Sequence, residues 1–307
     1  MTLPPIKAFG AALAYMATHA GELLKATWLP TLLLTAAGVW ALPAIAGPML
    51  DLISLGDQPD PARVAEIMSS AGGPIGILFL ASLVLYPMIY VAAMRHVLLG
   101  QKLRLPFYLQ FGAAELRVLA TFVLLMILLM LVDIVANLGI SALSLAGSAA
   151  GPQTGELVSS VLALAYTLFA LWLQLRLSLS LPAAIADRRV GLPLSWYKTK
   201  GNALRLLAYY ILFGLIVLPV AGIVLFLNWS SFAGLYESLQ GAQANPAKAA
   251  AAVKGFMQVY IDRLTPGHPG FPLAVVFYFL YTLFGVIIGT VPSAIAYRFI
   301  VGEPAKA

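Results

Sequence analysis

The chain has 307 residues, of which 61% are hydrophobic and 10% charged, with a mean hydropathy of +0.93. Soluble domains carry about 25% charged residues, so a water-soluble fold is excluded unless partners cover it. The absence of cysteine removes disulfides, thiolate metal sites, covalent haem attachment and cysteine nucleophiles, and the net charge of +6 acquires a meaning only through its placement.

A hydrocarbon core about 30 Å thick needs about 20 apolar residues of helix. Before the first such run, Phe9, Leu13, Met16, Ala20, Leu23 and Leu24 recur at helical spacing. Lys7, Thr18, Glu22 and Lys25 take other faces, which predicts a helix lying in the inner interface. The first span is expected at 26–48. Lys25 and the small-residue triplet Ala44-Ile45-Ala46 imitate a signal peptide, but a cut there falls later than the usual 15–30 residues or so. A retained span is expected. Asp51, Asp57, Asp60 and Glu66 make the next loop acidic. Asp60-Pro61 starts a short outer helix with Val64, Ile67 and Met68 on its apolar side. Further spans are expected at 74–98, 116–136, 157–181, 204–227 and 271–298. From Leu171 to Leu181 the sequence alternates with the period of a strand. A lone strand in lipid would strand its backbone polar groups, so helix is expected there too. Asn245-Pro246 caps a second outer helix, with Val253, Phe256, Met257, Tyr260, Ile261 and Leu264 along one face. Both outer helices would rest on the bilayer or cap a cavity.

The expected fold is all-α, a single membrane domain over 1–307 with six transmembrane helices and interfacial amphipathic helices. Lysine and arginine accumulate in cytoplasmic loops. With the N-terminus inside, 14 of the 18 basic residues fall on the cytoplasmic side, and only Arg63, Lys248, Lys254 and Arg263 fall outside. This predicts a multi-pass protein of a bacterial inner membrane with both termini cytoplasmic. Its expected partners are membrane lipids with anionic headgroups on that side, together with other membrane proteins in one reading. Nucleic acid is not expected.

The inner ends of alternate spans repeat. Pro182-Ala-Ala-Ile-Ala-Asp-Arg188 through Gly191 matches Pro292-Ser-Ala-Ile-Ala-Tyr-Arg298 through Gly302, with a looser version from Pro87 to Gly100. Leu105-Pro106, Gly112, Leu116-Arg117 and Leu119-Ala120 correspond to Leu192-Pro193, Gly201, Leu204-Arg205 and Leu207-Ala208. We read three tandem helical-hairpin units, 1–100, 101–191 and 192–302, related by an axis along the membrane normal. The stretch from Leu175 and Arg176 to Ala186, followed by Ser195-Trp196-Tyr-Lys-Thr199-Lys-Gly201-Asn202 and a new span, resembles uncharacterised bacterial inner-membrane proteins. These are similar to the membrane domain attached to some glycerophosphodiester phosphodiesterases. The resemblance implies a multi-span bundle; the catalytic domain of those enzymes is absent, so no catalytic residue carries over.

Ionisable and polar groups inside spans are functional hypotheses. Asp133 heads a polar stripe with Asn137, Ser141, Ser144 and Ser148, which would coordinate a cation or proton in a transporter. Counting about 1.5 Å per residue from Leu116, Asp133 lies about 25 Å along its helix, where an outer-interface carboxylate stays hydrated. Arg176 either snorkels to the inner headgroups or grips a lipid phosphate, as would Arg188 and Arg298 at neighbouring inner ends. Gln174 and Ser178 share one helix face and Arg176 and Ser180 nearly the opposite one, so at least one pair must face protein or water. Pro43, Pro87, Pro219 and Pro292 would kink spans. Gly285, Gly289 and Ser293 form a small-residue face for another helix. His19, His96 and His268 are far apart in sequence, which disfavours a metal site. Asn228-Trp-Ser230 imitates a glycosylation triplet. Trp28, Trp196 and Trp229 fit interfacial belts. No nucleophile elbow, phosphate-binding loop or zinc-protease motif appears, and no catalytic residue, metal or cofactor is expected. Three readings stand: a non-enzymatic bundle that binds or moves a lipid-like molecule, a structural or assembly subunit of a larger membrane complex, and a membrane-embedded lipid enzyme. The first is preferred.

Overall fold

The computed structural model describes residues 1–53, 55, 60–101, 107–149, 151–227, 229–240 and 246–302. Asp57, Lys102, Arg104, Leu105, Pro106, Asn228, Asn245 and Lys306 lie outside the described residues, as does the side chain of Ser230. The described chain is helical, and six of its helices are long and apolar enough to cross a membrane. All six expected spans are therefore present in a multi-pass membrane protein.

The helices are α1 (Pro5–Thr18), α2 (Ala20–Ile53), α3 (Pro61–Leu99), α4 (Ala113–Ser148), α5 (Pro152–Leu177), α6 (Ser180–Ala186), α7 (Gly191–Lys198), α8 (Ala203–Leu227), α9 (Trp229–Gln240), α10 (Pro246–Arg263) and α11 (Phe271–Val301). Asp60 caps α3 as expected, accepting from the Ala62 N–H at 3.0 Å. The separate short outer helix does not form, because α3 runs unbroken from Pro61 through Pro74 to Leu99. The alternating segment is helical through Leu177, breaks at Ser178 and Leu179, and resumes as α6. Of the amphipathic stretch expected before the first span, α1 forms the first part and ends at Thr18, while Ala20, Leu23 and Leu24 belong to α2; α1 does not stand off from the bundle. It packs on α8 and α11, with Ala8 and Ala12 buried and the Phe9 ring 4.9 Å from that of Phe213.

Helices α2 and α3, and α4 and α5, pack as neighbouring pairs. The third expected pair differs. Helix α8 packs on α1 and α5, and α11 on α1, α2 and α3, while α8 meets α11 where the Tyr209 hydroxyl donates to the Pro292 carbonyl at 2.9 Å. The C-terminal ends of α3 and α11 share one geometry: Gly100 (φ 61°) and Gly302 (φ 80°) close them in left-handed conformation, donating to the His96 and Arg298 carbonyls. The end of α5 departs from it. There α6 stops at Ala186, Arg188 takes the positive φ of 54°, and Gly191 begins α7 against the Ser180 carbonyl.

Burial is concentrated at one end of the bundle, here termed the basic end. It contains α1, α6, α7, the last turns of α3 and α11 and the first turns of α4 and α8. From Leu85 to Val97, α3 is buried on almost every side, as a helix at the centre of a bundle must be. Ala92, Ala93, Ala183, Ala184, Ala294 and Ala296 let the backbones approach closely there. The opposite end is splayed, with the α4 side chains beyond Thr121 largely outward. Ion pairs at that end join Lys254 to Asp51 at 2.7 Å and Arg63 to Glu66 at 2.5 Å.

Candidate functional site

The last carbonyls of a helix lack intrahelical donors; at the end of α5 those of Leu175 and Leu177 receive Ser178 and Ser180, and that of Arg176 is served from the α7 segment. Ser195 donates to the Arg176 carbonyl at 2.8 Å and Thr199 to the same oxygen at 3.0 Å. The Leu179 N–H in turn donates to Ser195 Oγ at 3.2 Å. Helix α7 can lie this close because Gly191 meets the Ser180 carbonyl without a side chain, and its N–H donates to Thr121 Oγ1 at 3.3 Å. On the other side of α7, Lys198 donates to Asp187 at 2.6 Å and also to the Tyr297 hydroxyl, which itself donates to Asp187 at 2.6 Å. Gly201 turns the chain at φ 77°, and Asn202 receives the Leu3 N–H at 2.8 Å. Five members of the segment 195–202 thus have structural work. Tyr197 and Lys200 face outward instead.

What these contacts leave open is a groove of about 610 Å³ lined by Trp172 and Arg176 of α5, Trp196, Tyr197, Lys200 and Gly201 of the α7 segment, and Ala203 and Leu204 of α8. Arg176 is only 7% exposed. Its Nη2 donates to the Trp196 carbonyl at 2.5 Å, and its guanidinium lies 4.6 Å over the Trp196 ring. Nε is buried with no partner. Among the described residues Arg176 forms no ion pair and no carboxylate lines the groove. Lys200 adds a second positive charge. The arrangement can accept a phosphate or another anion beside two indole rings.

Arg188 and Arg298 do not join Arg176. Arg298 donates to the Val97 carbonyl at 3.0 Å and so serves the end of α3, while Arg188 sits in the exposed turn after α6. Gln174, on the face of α5 turned away from Arg176, lines a second groove between α4, α5 and α8 with Ser178 and Tyr210. Both polar pairs of the α5 end are thereby placed.

The polar stripe on α4 is a seam with α5. Tyr166 donates to Asp133 at 2.7 Å, the Asn137 amide donates back to the Asp133 carbonyl at 2.8 Å, and Ser144 donates to the Gly155 carbonyl at 3.2 Å. Asp133 and Asn137 are exposed on the splayed half, and among the described residues no cluster of metal-ligating side chains includes them. In the small-residue stripe only Ser293 is buried. A side chain at Gly285 would meet open space, and one at Gly289 only the Tyr90 hydroxyl at 4.0 Å. The close helix approach is elsewhere, where Tyr278 of α11 lies against Gly38 of α2.

Two buried clusters escaped the sequence reading. His19 and His96, expected apart, have ring centroids 5.4 Å apart, and the Tyr15 hydroxyl lies 2.6 Å from His96 Nδ1. Burial pushes the Tyr15 phenol up to about 12. Glu115 is 1% exposed; it accepts from the Gly112 N–H at 2.8 Å and from the Tyr108 hydroxyl, which also receives Arg95 at 3.2 Å. Burial, then the Glu115 carboxylate, raises the Tyr108 phenol. A glutamate three residues after Gly112 at a helix start was the available signal, since that position reaches back to cap the first turn. No protein-family model, curated protein or solved structure matches the chain.

Proposed function

We propose that this is a non-enzymatic, multi-pass protein of a bacterial inner membrane, with cytoplasmic termini, that binds an anionic phospholipid of the inner leaflet in the groove between α5, α7 and α8. The observation carrying this reading is Arg176. It is a nearly buried guanidinium with an unpartnered Nε, with Lys200 beside it and no carboxylate among the described residues to neutralise either. Leaving a buried cation unmatched is costly, and a headgroup phosphate supplies the missing charge with matching geometry. Trp172 and Trp196, 5.3 Å apart, suit the headgroup level of a bilayer.

The test is native mass spectrometry of the full chain released from nanodiscs of mixed phosphatidylglycerol and phosphatidylcholine. Preferential retention of phosphatidylglycerol is expected, falling at least fivefold in Lys200→Ala and in Arg176→Gln. Because Arg176 also holds α7, Arg176→Lys serves as the folded control that keeps the charge. Equal retention by wild type and Lys200→Ala would overturn the reading.

A second reading has its own observation. Helix α4 has 36 residues, about 54 Å at 1.5 Å per residue, well beyond a hydrocarbon core of about 30 Å. Its far turns carry Leu143 and Leu145 at 54% and 75% exposure. An assembly role in a larger membrane complex would cover them, and co-purification of a stoichiometric partner in mild detergent would favour it.

A further inference from the structure

The second groove, about 550 Å³ between α4, α5 and α8, is walled mainly by leucines, with Gln174, Ser178 and Tyr210 as its polar residues; the Ser178 hydroxyl is engaged with the Leu175 carbonyl. Gln174 is exposed and makes no hydrogen bond to protein among the described residues. A primary amide has two donors and one acceptor oxygen. In an apolar setting each unmet group costs free energy, so the amide needs a partner that the lipid itself brings.

Depth identifies that partner. Gln174 is two residues from both Trp172 and Arg176, hence about 3 Å along the axis from each. Tryptophan at the membrane boundary marks the headgroup level, and the ester carbonyls of a glycerolipid lie just inside it. Those carbonyls are acceptors without donors, the complement of the free amide N–H groups. The antiparallel register of α4 and α5 sets Leu125 level with Gln174, and Leu129 and Leu171 line the groove deeper in, which suits an acyl chain. We infer that this groove holds the ester region of a glycerolipid, with the Gln174 amide donating to an ester carbonyl. The site is on the opposite face of α5 from Arg176 and does not require the anion groove to be occupied.

The discriminating probe pair is diester phosphatidylglycerol against the diether lipid of identical headgroup and chains, which lacks only the carbonyls. Full-length protein in nanodiscs containing both at equal amounts is released and weighed by native mass spectrometry. Wild type is expected to retain the diester about fivefold to tenfold over the diether, as one hydrogen bond of this kind allows. Gln174→Leu, at an exposed position without protein partners, is expected to fold and to lose that preference. Lys200→Ala is expected to keep it. Equal retention of diester and diether by wild type, or an unchanged preference in Gln174→Leu, would overturn the inference. Failure of the anion groove would read out separately, in the phosphatidylglycerol-to-phosphatidylcholine ratio.

Discussion

Gly191 is the position where one methyl group should do the most damage. A Cβ there would overlap the Ser180 carbonyl oxygen and come within 2.7 Å of its carbon and 3.0 Å of the Ala184 nitrogen. All three atoms are backbone, so no side chain can swing aside, and α7 must lift from α6. Overpacking costs about 1–3 kcal/mol where rotamers can adjust; here the upper figure applies. Lifting α7 also withdraws the Gly191 N–H from Thr121 and draws Ser195 away from the Arg176 carbonyl. At about 2–4 °C per kcal/mol for chains near this size, Gly191→Ala should melt about 6–12 °C below wild type. Tryptophan fluorescence during heating in detergent, checked by size exclusion after each step, measures it. Gly285→Ala is the matched control, because open space surrounds that site and alanine is the better helix former by about 0.5–1 kcal/mol. If Gly191→Ala melts with wild type, the α6–α7 packing described here is wrong.

Two further outcomes concern the buried clusters. Glu115→Leu strands the Gly112 N–H and the Tyr108 hydroxyl, a loss of about 2–6 kcal/mol at about 1–3 per unmet group; Glu115→Gln should lose less, and equal melting of all three proteins would dismiss the cluster. For Tyr15 the folded chain holds its proton up to about 12, while an unfolded tyrosine releases it near 10. Below pH 10 both states are protonated and nothing is lost; between about 10 and 12 only the unfolded state ionises, so stability falls as pH rises. Melting at pH 9 and pH 11 should therefore show a smaller drop for Tyr15→Phe than for wild type.

The spans were legible because each is an unbroken apolar run of sufficient length, a signal that needs no tertiary information. Helix α9 was not, since Trp229–Gln240 mixes polar and apolar residues after the last apolar turn of α8. The break after Leu177 was half visible: the alternation from Leu171 to Leu181 was read as helix, yet serine at 178 and 180 with proline at 182 leaves the backbone there weakly held. Ser178 and Ser180 each donate to a carbonyl three residues back, which competes with the helical pattern. Small residues at four-residue spacing identified Gly285 and Gly289 as a packing face. That spacing permits close approach without requiring it, and the large buried surface of α11 is instead the face of Leu283, Val286, Thr290 and Val291. The pairing of His19 with His96 depends on how α1 and α2 meet the end of α3, and no local pattern encodes it.

The break after α5 links the architecture to both grooves. Had α5 continued unbroken, as α3 and α11 do to their glycine caps, the Arg176 carbonyl would be served within the helix and α7 would lose that anchor. Because it stops at Leu177, Ser195 and Thr199 of α7 must close it, and this seats Trp196 against Arg176. Arg176 thereby gives one donor to protein while keeping its charge at the groove, and Lys200 follows one turn later. The same break leaves Gln174 in the last full turns of α5, on the opposite face and at nearly the same level. A lipid phosphate and a lipid ester carbonyl lie within a few ångströms of each other in depth. The spacing of Gln174 and Arg176 along one helix end is therefore the spacing expected of a protein edge that reads the boundary of one leaflet.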